Sequence, residues 1–140
     1  METGDWKSRK TLLPLLLSLA VLTAACARLN PGLSSEYRAK ASQAFAKLQR
    51  IEQLLELKRQ APTPASPEIG RAVQEAGDAL LDASNGRRTA GDYRVYRRLV
   101  SYQAALWNEV LHMDDGDPKK MAELATATTA ARKEVEASLR

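Results

Sequence analysis

Ser34 to Gln60, SSEYRAKASQAFAKLQRIEQLLELKRQ, decides the fold. Tyr37, Ala41, Ala44, Leu48, Ile51 and Leu55 recur at alternating steps of four and three, the heptad spacing that keeps one stripe of a helix against a partner helix. Such a stripe cannot bury itself, so it demands further helices, and the rest of the chain supplies them. Ala61-Pro62-Thr63-Pro64-Ala65 ends the first helix, because proline removes a donor and biases its predecessor away from helix. Ser66-Pro67-Glu68 opens the second with an N-cap hydroxyl, a proline in the first turn and an acid near the positive dipole end.

The second seam is Ile69, Val73, Ala76, Leu80 and Ala83, and Asn85-Gly86 is expected to close it in the left-handed conformation. Thr89 with Asp92 three residues on approximates a capping box for the third helix. Its predicted seam is Tyr93, Tyr96, Val100, Gln103, Trp107 and Val110, widened by Leu99, Leu106 and Leu111, which makes it the helix expected to be most buried. Gly116 ends it, Asp117-Pro118 opens the fourth, and Met121, Leu124, Thr128, Ala131 and Val135 carry the last seam. No stretch shows sustained strand-like alternation. The expectation is an all-α antiparallel up-down bundle of four helices over residues 34–140. A three-helix core is the alternative, because Ala122 to Ala131 is almost entirely Ala and Thr and has little side-chain area to bury.

Upstream of the bundle the composition changes. Lys7, Arg9 and Lys10 form a basic region, Thr11 to Val21 an apolar core, and Leu22-Thr23-Ala24-Ala25 lead into Cys26, the chain's single cysteine. This pattern resembles the export signal of bacterial lipoproteins, with Thr23 where Leu is usual three residues before the cysteine. The resemblance implies that residues 1–25 are a cleaved signal peptide and that Cys26 becomes the lipidated first residue. It also implies a membrane address. Ala27 stands where Asp usually retains a lipoprotein in the inner membrane, which resembles an outer-membrane protein facing the periplasm. A lone thiol makes no internal disulfide, and acylation gives it a use. One acyl chain holds weakly, so the several chains of a mature lipoprotein make such anchoring durable. An uncleaved span is the poorer reading, because Thr11 to Ala27 is 17 residues, the lower edge of what crosses a bilayer, and contains Pro14. Residues 26–33 then form the lipidated cysteine and a short tether, with Asn30-Pro31-Gly32 as a turn-forming string.

Without residues 1–25 the chain carries 18 Lys and Arg against 15 Asp and Glu, a balance too mild to propose nucleic acid. No small-molecule substrate, cofactor or catalytic residue is predicted. The serines have no second histidine to choose from, the thiol is assigned to the lipid, and no glycine-rich phosphate loop exists. His112 lies beside Met113, and small four-helix cytochromes of the b type hold haem with a His and a Met from opposite ends of the chain. Neighbours on a helix point about 100° apart, so these two cannot grip one iron from opposite faces, although Met121 offers an alternative partner. A histidine closing a helix is explained by the dipole. Asp114-Asp115-Gly116-Asp117 lacks the alternate oxygens and distal Glu of a calcium loop and reads as a turn with an N-cap.

One local concentration stands above background. Arg87, Arg88, Arg94, Arg97 and Arg98 are interleaved with Tyr93, Tyr96 and Tyr102, and Arg94, Arg97 and Arg98 share a helix face. Arginine pairs carboxylate and phosphate in a fork geometry, so these five are the candidate partner-binding residues. The intramolecular alternative, which the sequence favours, places Glu75, Asp78 and Asp82 opposite them across the second hairpin. Trp107 and the tyrosines are expected to pack the core, or to leave a groove for a partner helix where part of their face stays open.

The functional expectation is a lipid-anchored binding or scaffolding subunit of the bacterial envelope, held through Cys26, with a protein partner and no chemistry of its own. Size, anchor and helical content are similar to those of secretion pilotins, small outer-membrane lipoproteins whose helical forms cradle a segment of a secretin. The cysteine pairs of some helical pilotins are missing here. A haem or metal carrier is the remote alternative.

Overall fold

A computed structural model of the protein describes residues 32–61 and 67–140. The expected export signal, Cys26, most of the expected tether and the proposed cap Ser66 lie outside the described residues. Four helices follow in order: α1 Ser35–Gln60, α2 Pro67–Asn85, α3 Ala90–His112 and α4 Pro118–Leu139, with no strand among the described residues. The all-α four-helix bundle is therefore present.

Local chemistry sets the helix ends. Ser34 caps α1, its hydroxyl accepting from the Tyr37 amide. Thr89 and Asp92 form the complete reciprocal capping box of α3. Asp117 caps α4 by accepting from the Lys119 and Lys120 amides, with Pro118 in the first turn. Gly116 adopts φ 71°, the left-handed turn that glycine takes without strain. Gly86 does not behave as expected, since its φ is not positive. A Cβ there would meet only the flexible end of the Lys40 side chain, at 2.9 Å from Cδ.

Ion pairs give the helix directions. Lys40–Asp82 and Lys47–Glu75 descend along α1 and α2 in opposite order, and Arg98–Glu134 with Glu109–Thr128 does the same for α3 and α4. Ser34 meets Asp92, Glu52 meets Tyr102 and Arg59 meets Glu109, so α1 and α3 run parallel. The principal packing is α1 on α2, α3 on α4 and α1 on α3; α1 with α4 and α2 with α3 touch at few positions. The bundle is thus flattened across a short α1–α3 diagonal. Gly32–Arg140 form one compact unit around this centre.

Every residue of the predicted α1 seam is buried, as are Ile69, Ala76, Leu80 and Ala83 of α2. Burying each Leu or Ile stabilises by about 1.5–3 kcal/mol, and α1 alone buries Leu48, Ile51, Leu54 and Leu55. In α4 Thr128 and Val135 are fully buried, and Ala131 and Leu139 pack against the core. The fourth helix is docked on α3.

The α3 seam differs from the expected one. Its inward residues are Asp92, Val95, Leu99, Tyr102, Leu106 and Glu109, spaced three, four, three, four, three. Tyr93 is 50% exposed, Val100 38% and Leu111 72%, while Tyr96, Trp107 and Val110 are half-buried at the edge of the core. Two acids occupy heptad positions, and following apolar residues alone rotated the stripe toward the aromatic flank.

Candidate functional site

The best-defined polar assembly sits where the chain enters the bundle. Asp92 is fully buried and its carboxylate accepts from the Ser34 amide at 3.0 Å, the Ser34 hydroxyl at 3.1 Å, the Arg88 amide at 3.0 Å and the Thr89 amide at 3.2 Å. Burial alone would raise its pKa. The hydrogen bonds from Ser34, Arg88 and Thr89 outweigh burial and hold it below the usual carboxylate range. Thr89 also donates to the Gly32 carbonyl at 3.2 Å. Gly91 allows this approach, since a Cβ there would stand 2.5 Å from the Gly32 carbonyl carbon and the Leu33 nitrogen. The sequence shows Thr89 and Asp92 as a cap, but the bonds to Ser34 bridge 58 residues and leave no local signal.

The five candidate arginines fall into two groups. Arg87 caps the end of α2 through the Ser84 carbonyl at 2.7 Å, and its guanidinium lies 4.7 Å and 4.3 Å from the ring centres of Tyr93 and Tyr96. Arg98 reaches Glu134 at 3.6 Å. Arg88, Arg94 and Arg97 are exposed and make no ion pair or side-chain hydrogen bond among the described residues. The expected pairing with α2 is not made. Glu75 and Asp82 turn to Lys47 and Lys40 of α1, because α2 packs on α1 and barely meets α3.

On the α1–α4 side a cleft of about 590 Å³ opens between helices that scarcely touch. Arg50, Gln53, Glu56 and Leu57 form one wall, and Thr129 and Arg132 the other. It adjoins a second hollow floored by Ala122, Ala125, Thr126 and Ala130, with Lys133 at its rim. Leu57 is 56% exposed over this side.

Behind the cleft lies a network that the sequence did not single out. Glu109 is fully buried, held by Arg59 at 2.7 Å and the Thr128 hydroxyl at 2.8 Å. Arg59 also donates from Nε to Glu56 at 3.0 Å. Glu52 accepts from the Tyr102 hydroxyl and pairs with Arg132 at 3.2 Å, which in turn holds Glu136 at 2.7 Å. Burial and the bond to Glu52 push the Tyr102 phenol above its ordinary value, so it stays a donor. These bonds join α1, α3 and α4 where apolar area is scarce. The signal for Glu109 was its heptad position on α3.

His112 closes α3, its Nδ1 2.6 Å from Asp115 Oδ2 and 3.1 Å from Lys120 Nζ. The His112 bond, helped by Lys120, lowers the Asp115 pKa. Asp114 pairs with Lys58 and Asp117 caps α4, so each acid of the turn has its own partner. Among the described residues no three His, Cys, Asp or Glu side chains gather as a metal set, and no helix is long and apolar enough to cross a membrane.

No family model, no curated protein and no solved structure matches the chain.

Proposed function

We propose that the protein is a lipid-anchored binding subunit of the bacterial envelope, fixed through Cys26 at the periplasmic face of the outer membrane. The observation that carries this reading is the polar lock at Ser34 and Asp92, which builds the chain into the bundle from Gly32 onward. Only residues 27–31 separate Cys26 from that point in the sequence. Six peptide steps reach at most about 22 Å, so an acylated Cys26 holds the bundle against the bilayer surface.

The partner's seat is the α1–α4 cleft. A partner helix with an apolar stripe suits Leu57 and the alanine floor, and acidic flanks suit Arg50 and Lys133, which have no ion pair among the described residues. This is helix-in-groove recognition. The same cleft favours a second, narrower reading, a pilotin-like chaperone that receives a segment of a secretin.

Two measurements test the proposal. Intact mass of the first residue of the mature protein gives diacylglyceryl and acyl groups on Cys26, and Cys26→Ser releases the protein from membranes; a soluble, unacylated wild type refutes the anchor. A photo-crosslinker placed at Leu57 in cells traps one envelope protein, and Ala125→Arg abolishes the adduct with helicity unchanged. Equal trapping from a crosslinker at Gln74, an exposed α2 position, refutes the cleft. Deleting the gene mislocalises a secretin if the pilotin reading holds.

A further inference from the structure

We infer that the start of α3 is a headgroup-binding surface, with Arg88, Arg94 and Arg97 taking the phosphates of anionic phospholipid and Tyr93 resting at the interface beside them. The inference rests, for its orientation, on the anchoring of Cys26 proposed above.

Position supplies the first argument. Thr89 holds the Gly32 carbonyl and Gly91 leaves room for it, so Gly32, the residue next in sequence to the tether, sits beside the first turn of α3. The chain that leads to Cys26 is short, and its acylated end defines where the bilayer stands. Arg88 precedes that turn and Arg97 follows within about 10 Å along the axis, at 1.5 Å per residue from Ala90. The long stems of arginine extend that reach.

Charge supplies the second. Acids at this end are committed elsewhere: Asp82 to Lys40, Asp92 to the Gly32–Ser34 segment, Glu134 to Arg98 and Glu136 to Arg132. Glu36, exposed in the first turn of α1, and Asp78, exposed on α2 one turn before Asp82, are the exceptions. Arg94 and Arg97, one turn apart, therefore repel each other with no described carboxylate between them. Three unpaired guanidinium groups match a surface of phosphates, which each takes in a fork.

The third argument is the aromatic. Arg87, stacked on Tyr93 and Tyr96, fixes the Tyr93 ring while leaving half its surface open. A tyrosine presented this way is suited to the boundary between acyl chains and headgroups. An acidic protein surface satisfies the arginines equally well but does not explain their place beside Gly32.

The test uses residues 27–140, which contain the whole compact unit and lack both the signal segment and the acyl groups. Co-sedimentation is measured with phosphatidylcholine vesicles and with vesicles containing three parts in ten of phosphatidylglycerol. Binding to the anionic vesicles is expected, falling as salt rises, with none to phosphatidylcholine alone. Each arginine near such a surface contributes about fivefold, so Arg88→Gln/Arg94→Gln/Arg97→Gln weakens binding roughly 100-fold. Helicity is unchanged, because these side chains hold nothing in the fold. Arg50→Gln/Lys133→Gln, on the cleft, leaves vesicle binding as it was. Failure to bind anionic vesicles, or equal binding by the triple variant, overturns the inference. Retention on poly-glutamate without retention on the vesicles overturns it too, in favour of an acidic protein. An unacylated Cys26 in cells, with vesicle binding intact, refutes the anchor and leaves the surface standing.

Discussion

Asp92→Ala tests the lock between the chain's lead-in segment and α3. The substitution strips the acceptor from three backbone amides, those of Ser34, Arg88 and Thr89, and from the Ser34 hydroxyl. Hydrogen bonds to a charged group contribute about 1.5–3 kcal/mol each. The three amides lie only partly buried, so water recovers much of each bond, and about 1 kcal/mol apiece is the appropriate share. The expected loss is therefore about 3 kcal/mol, a large fraction of the roughly 5–15 kcal/mol that holds a domain folded. In urea, with a slope near 2 kcal/mol per molar, the midpoint falls by about 1.5 M. Residues 27–140 suit the assay, with far-ultraviolet circular dichroism and Trp107 fluorescence as probes. The pH dependence adds a signature. Asp92 is depressed in the folded state, so its stabilisation is complete above the unfolded carboxylate pKa and disappears as pH falls through the folded one. Wild type and variant accordingly converge in strong acid. A midpoint shift under about 0.3 M, which at the same slope is less than one such bond, refutes the reasoning, as does a difference that persists when the carboxylate is protonated.

Four other substitutions probe the rest of the bundle. Gly91→Ala destabilises by about 1–3 kcal/mol despite alanine's better helix propensity, because its Cβ meets the immovable backbone of Gly32 and Leu33; faster proteolysis near residue 33 reports the displaced segment. Gly77→Ala, with open space around it in mid-helix, stabilises by about 0.5–1 kcal/mol in the same denaturation assay. Glu109→Ala costs about 1.5–3 kcal/mol by removing a charged acceptor from Arg59, which keeps Glu56, and from Thr128, which keeps the Leu124 carbonyl, whereas Glu109→Gln costs markedly less; equal losses refute a charge-dependent role. The buried Tyr37 hydroxyl has no hydrogen-bond partner among the described residues and its pKa is raised to about 12, chiefly by burial. Tyr37→Phe is thus neutral or stabilising by up to about 1 kcal/mol, and it reduces the loss of wild-type stability as pH rises from 10 toward 12, where only the unfolded phenol ionises.

The seams of α1 and α2 were legible because apolar residues at heptad spacing announce a buried face directly, and that of α4 was legible from Thr128 onward, since Met121 and Leu124 stay half-buried. The α3 seam was not, since Asp92 and Glu109 occupy two of its inward positions and look like surface residues until their partners on α1 and α4 are known. The arginine pairing failed for a related reason. A square bundle puts α2 beside α3, whereas the α1–α3 diagonal turns the acids of α2 toward Lys40 and Lys47. Of the candidate site, the five arginines were visible as a cluster, but their division into structural and unpaired members depends on helices distant in sequence. The α1–α4 cleft left no trace, because it arises from how two helices diverge.

The Ser34–Asp92 lock also decides how the molecule responds to mechanical force. Tension arriving through the N-terminal segment meets Gly32, where Thr89 and Asp92 hand it straight to α3. The load thus reaches one of the two innermost helices first and does not peel α1 away from α2. Several bonds strained together must rupture in a single event, where a frayed helix end would yield one turn at a time. Under such a load the bundle moves as one piece.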